Sequence, residues 1–215
     1  MVGVRGILGV ISVVSVTAGA AVVSGCTHVI DGAAVKAVPP LVATATQVGD
    51  LVGAQLANTT ADVAPPAPVP VDPDGCAVAA GPSTTAVYTA GWTQFHLVTM
   101  QEAADYWDHS VTQTAGKYPD DAAAQQVFAG LAAGVAACPR ATATDALDAS
   151  TAGWTFTVED TDDPAVTRWT AAQDGGHDWA CFREARRTGQ WVVQAAVCQV
   201  GNGRPAATAI ADQLV

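Results

Sequence analysis

Positive charge is scarce in this chain. Nine Lys and Arg stand against twenty Asp and Glu in 215 residues, a formal net charge of −11. So acidic a surface lacks the basic face that phosphate contacts require, which excludes nucleic acid as a partner. Charged residues of both signs amount to 13 % while 50 % of the chain is hydrophobic, so general disorder is excluded too. Nucleophile motifs are missing. After residue 26 the serines are Ser83, Ser110 and Ser150; none sits in Gly-x-Ser-x-Gly or Ser-x-x-Lys, and no cysteine adjoins a base. Gly201-Asn202-Gly203 lacks the further glycine and the strand-to-helix unit of a nucleotide loop. His28, His96, His109 and His177 have no metal-ligand spacing. Glu159-Asp160-Thr161-Asp162-Asp163 lacks the glycine and closing glutamate of a calcium loop and reads as a soluble connection. The expectation is a protein that is not an enzyme and holds no metal and no cofactor.

What is present begins with an address. Arg5 is followed by Ile7 to Gly25 without a charge, ending at Val23-Ser24-Gly25-Cys26. The run reads as a secretory signal over residues 1–25, since Gly9, Ser12, Ser15, Gly19 and Ser24 weaken it as a permanent span. Val23-Ser24-Gly25-Cys26 resembles the bacterial lipobox, which implies a diacylglycerol on Cys26 and a domain held at the outer face of the plasma membrane. An uncleaved anchor and an ordinary secreted protein are the alternatives. Residues 26–40, ending in Pro39-Pro40, suit a solvated tether.

The body runs over 41–215. Apolar spacing predicts a helix over 41–57, and Pro65, Pro66, Pro68, Pro70 and Pro73 predict an extended loop over 59–75. Strands are predicted at 88–100, 109–118, 154–159, 165–173, 177–187 and 191–200. Asp120 or Asp121 caps a helix with the stripe Ala124, Val127, Phe128, Leu131, Val135 and Cys138, and a short helix closes the chain from about Pro205.

Four cysteines remain beyond Cys26, an even number in an exported chain, where disulfides persist. With Gly189-Gln190 as a two-residue loop, glycine first, counting outward places Cys181 opposite Cys198. That pairing leaves Cys76 for Cys138, and each bridge contributes roughly 3 to 4 kcal/mol. With Gly175-Gly176 as the preceding loop, Trp169, Phe182 and Val197 form one packed row, and Arg168, Arg183, Arg187 and Gln194 share the opposite face beside the disulfide. Those four are the candidate ligand residues, because guanidinium forks suit carboxylate or phosphate. Arg168 directly opposite Arg183 is unfavourable unless an anion or acid intervenes.

Leu51-Val52-Gly53-Ala54, Cys76, Tyr88-Thr89-Ala90-Gly91-Trp92, Pro119 before a helix ending at Cys138, Trp154-Thr155, Trp179-Ala180-Cys181 and Val192-Val193 ahead of Cys198 occur in a telling order. In this order the chain resembles the PknH-like extracellular sensor domain, found on mycobacterial Ser/Thr kinases and on free-standing lipoproteins. Gln190 stands where that resemblance expects an Asn. The resemblance implies an α+β fold, an antiparallel sheet of about five to six strands packed by helices, two disulfides and a cleft for an unidentified ligand. The expected partner is a small molecule or cell-wall fragment, with the membrane reached through the lipid anchor; a protein-binding or structural envelope module is the alternative.

Overall fold

Thr44 opens the first helix. Its hydroxyl accepts from the Gln47 amide while the Gln47 side chain accepts from the Thr44 amide, a reciprocal box that starts α1 at Ala45–Val52. Gly53 stops it in the left-handed region at φ 73°, so the helix is shorter at both ends than the 41–57 expected. A computed structural model describes residues 41–106, 108–144 and 149–214. The signal segment, Cys26 and the tether lie outside the described residues.

After α1 come β1 (Asn58–Asp62), β2 (Val71–Asp72), a 3-10 turn at Asp74–Cys76 and α2 (Ala77–Ala80). Next are β3 (Gln94–Gln101), β4 (His109–Lys117), α3 (Asp121–Ala136), β5 (Arg140–Thr144) and β6 (Thr151–Glu159). The chain closes with β7 (Val166–Gln173), β8 (Trp179–Thr188), β9 (Trp191–Val200) and α4 (Arg204–Ala211). Among the described residues there is one antiparallel sheet of nine strands, in the order β1-β3-β4-β9-β8-β7-β6-β5-β2. The α+β class is as expected; five to six strands are too few. The strands that escaped are β1, β2 and β5. Two of them lie inside the expected proline loop, where the chain pairs with β3 on one edge and β5 on the other. The first expected strand is also shorter: turns occupy the chain before β3 begins at Gln94.

The β8–β9 register places Cys181 opposite Cys198, as the hairpin arithmetic requires. The β7–β8 register does not follow the Gly175-Gly176 reading. Arg168 faces Glu184 and Trp169 faces Arg183, one residue away from the expectation. The connection is longer than two residues: Gly175, His177 and Asp178 all take positive φ, and Trp179 donates to the Gly176 carbonyl. A slip of one exchanges the faces of the whole strand. Trp169 therefore shares a face with Arg183 and the disulfide, while Phe182 and Val197 point the other way.

Each sheet face has its own core. Under α2 and α3 lie Trp169, Phe95, Tyr88, Phe128, Leu131 and Val135. Under α1 and α4 lie Val48, Val111, Val193, Val197 and Ile210. The expected stripe of α3 is the buried one, with Val127 partly buried and Cys138 just past the helix. No described helix is long and apolar enough to cross a membrane.

Candidate functional site

Asp120 sets the start of α3: its carboxylate accepts from the Ala123 amide at 2.8 Å. The far end is tied by Cys76–Cys138, whose Cα atoms are 5.3 Å apart, so α2 is fastened against α3. The second bridge joins Cys181 to Cys198 across the central strands, Cα to Cα 3.9 Å. Both pairings are those expected from the hairpin. Between α3, Val78 of α2 and the segment 86–91 a cavity of about 480 Å³ is left open. Its walls are chiefly Val78, Val87, Val127, Leu131 and Gly130, with Thr89 and Gln126 as polar points, and no Asp, Glu, Lys, Arg or His lines it. Tyr118 closes one side; burial pushes its pKa up to about 12, so it stays neutral. The Tyr118 hydroxyl is buried without a hydrogen-bond partner in the described structure. This volume is that of a small-molecule site and its lining suits an uncharged, largely apolar ligand.

None of the four candidate residues lines this cavity. Arg168 lies on the α4 face, where Nε donates to the Glu184 carboxylate at 2.8 Å. Glu184 is fully buried and also accepts from Arg186 and, at 2.7 Å, from Thr208 of α4. Burial alone pushes its carboxyl up, and the bonds from Arg168, Thr208 and Arg186 outweigh that, holding it below the ordinary carboxylate range. The acid that a paired Arg168 required is thus intramolecular. Arg183, Arg187 and Gln194 do share the disulfide face. Gln194 is committed to the scaffold, donating to the Pro82 carbonyl at 2.9 Å and to the Tyr88 hydroxyl at 3.0 Å. Arg183 donates from Nη1 to the Ala79 and Ala80 carbonyls at 2.5 and 3.0 Å. Arg187 has its Nε buried without a partner.

The other weighed groups fall where their chemistry is spent locally. Glu159 binds Arg204 and Thr170, and its acidic neighbours form the connection from β6 to β7. His109 pairs with Glu102 at 2.6 Å, His96 touches Gln94 at 3.0 Å, and His28 lies outside the described residues. Among the described residues no cluster of His, Cys, Asp or Glu could hold a metal ion. The cavity escaped sequence reading because its walls come from distant segments; the one local signal was Tyr88-Thr89-Ala90-Gly91-Trp92, small residues that leave space beside a helix carrying Gly130.

The extracellular domain of PknH from Mycobacterium tuberculosis superposes with a TM-score of 0.72 at 23 % identity, over 81 % of this chain and 91 % of that one. An uncharacterized protein (Rv0999 ortholog) from Mycobacterium smegmatis aligns at 11 % identity and a TM-score of 0.38, over 82 % of this chain and 99 % of that one. No curated protein matches the chain. The profile of the PknH-like extracellular domain matches residues 33–215, so the chain belongs to the PknH-like extracellular domain family.

Proposed function

We propose that this protein is a non-catalytic sensor module of the cell envelope, held to the outer face of the plasma membrane by a lipid on Cys26, that binds an uncharged small molecule between α3 and residues 86–91. The cavity of about 480 Å³ carries the reading. It lies within the range of small-molecule sites, and two walls are fixed by the Cys76–Cys138 bridge and by the Tyr88 hydroxyl, which donates to the Val192 carbonyl at 3.3 Å. The lipid anchor is supported by Val23-Ser24-Gly25-Cys26 and the small-residue run before it.

Decan-1-ol is a suitable probe, apolar with one hydrogen-bonding group. A saturable rise in the thermal midpoint of the oxidised protein is expected, as for any ligand that binds only the folded state. Gly130→Leu should abolish that rise without lowering the unliganded midpoint, because a Cβ at Gly130 meets nothing within 4 Å and the longer side chain occupies the cavity wall. An equal response of the two proteins, or none, removes the reading. For the anchor, Cys26→Ser should leave the membrane fraction; retention there overturns the lipid assignment.

A further inference from the structure

Six arginines lie among the described residues, and four of them meet a carboxylate: Arg140 meets Asp174, Arg168 and Arg186 meet Glu184, and Arg204 meets Glu159. Arg183 is deeply set and meets none. Its Nη1 is held by the Ala79 and Ala80 carbonyls, and its Nε is buried with no partner at all. Beside it a recess of about 220 Å³ opens on the disulfide face, apart from the α3 cavity. Ser83, Thr99 and Thr112 line that recess with Arg183 and Cys198.

The hydroxyls there have protons to spare. Thr99 and Thr112 face each other at 3.4 Å, and Ser83 faces Thr114 at 2.7 Å. Within each pair one proton bridges the two oxygens and the other is left free to donate. A guanidinium carries five N–H donors, and two carbonyls on one nitrogen leave the rest of the fork unused. An unpaired cation taken out of water is unfavourable, and an anion beside it relieves that penalty. Burial lowers the pKa of Arg183 to about 10, which still leaves it charged at neutral pH.

We propose that the recess at Arg183 is a small-oxyanion site, in which a carboxylate or phosphate group docks on the guanidinium and takes further hydrogen bonds from the hydroxyls of Thr99, Thr112 and Ser83. In a chain of net charge −11 such a site is local: it selects an anion small enough to enter the recess of about 220 Å³, since a large polyanion is repelled by the chain's net negative charge. The site stands independently of the α3 cavity.

The test titrates isotopically labelled oxidised protein with inorganic phosphate and, separately, with acetate, at constant ionic strength. The expected result is a saturable shift of the Arg183 Nε–Hε resonance and of the amides of Gly81, Ser83, Thr84, Thr99 and Thr112, with either anion or both. The two arms tell which oxyanion the site prefers. Thr112→Val removes one donor and keeps the shape, so binding should weaken about tenfold, the worth of a hydrogen bond to a charged group. Arg183→Met should abolish the shifts; should it fail to fold for want of its contacts to Ala79 and Ala80, Thr112→Val decides. No saturable shift with either anion, or unchanged affinity in Thr112→Val, overturns the proposal.

Discussion

Two glycines of α3, four residues apart, meet different surroundings. A Cβ at Gly130 would meet nothing within 4 Å, whereas one at Gly134 would come within 2.9 Å of a Val78 methyl. The difference says where α2 presses on α3 and where the cavity begins. Gly130→Ala should stabilise the fold by about 1 kcal/mol, the helix-propensity difference alone. Gly134→Ala gains the same propensity but forces Val78 away, an overpacking that costs roughly 1 to 3 kcal/mol, so its net effect should be a loss of about 1 kcal/mol. Urea midpoints of the two variants against the parent check this; a common sign would contradict it. Gly116 shows a third situation, since a Cβ there would stand 2.6 Å from the Tyr88 ring. That ring hydroxyl receives the Gln194 amide, so both residues hold the segment that walls the cavity.

At the scale of elements, the two disulfides serve different attachments. Cys181–Cys198 staples neighbouring strands that the ladder already pairs, and spans 17 residues of sequence. Cys76–Cys138 spans 62 residues and fastens the short α2 to the end of α3. Closure entropy grows with the logarithm of loop length, so loss of the longer bridge should cost about 1 kcal/mol more than loss of the shorter. The Cys76→Ala/Cys138→Ala and Cys181→Ala/Cys198→Ala proteins, compared by urea unfolding, should fall in that order. The decan-1-ol response should disappear with the first pair and survive the second. The edge strands β1 and β2, and β5 beside β2, belong to this scale as well. Asn58-Thr59-Thr60-Ala61-Asp62 carries no apolar alternation, Val71-Asp72 is too short to show one, and Arg140-Ala141-Thr142-Ala143-Thr144 alternates with alanine alone; they become strands because β3, β5 and β6 respectively offer backbone partners beside them. That is why a sheet of nine strands reads as five to six from local pattern.

For the whole molecule, the buried Glu184 is the electrostatic joint between β7, β8 and α4. Its carboxyl titrates below the ordinary value of 4.5, so the folded state binds its proton less readily than the unfolded chain does. The stability it contributes is therefore present above about pH 4.5 and is lost as pH falls through its folded value. Glu184→Gln should cost about 3 kcal/mol at neutral pH, the typical loss when one partner of a buried ion pair is removed. It should also flatten the acid limb of the stability curve. Thermal midpoints of parent and variant between pH 3 and 7 would refute this if the two curves ran parallel. By contrast Arg140 and Asp174 are 69 % and 43 % exposed, and such a surface pair contributes under about 1 kcal/mol.

Much of this molecule was legible in one dimension. The Asp120 cap and the apolar stripe of α3, the β8–β9 hairpin, the closing helix and the Cys181–Cys198 bridge depend on near neighbours: a turn residue, a period, a loop of known length; Cys76–Cys138, 62 residues apart, followed by elimination. The β7–β8 register was not legible, since Gly175-Gly176 suggests a tight turn while the chain instead bends through His177 and Asp178 in positive φ. Spacing along the backbone was enough to tell that α3 is amphipathic and that Cys181 faces Cys198, because period and turn length are local. Tertiary structure alone decided that Arg168 meets Glu184 while Arg183 meets none, and that a cavity opens beside α3. Both depend on groups distant in sequence, whose meeting is set by strand register and by the volume left when two layers close.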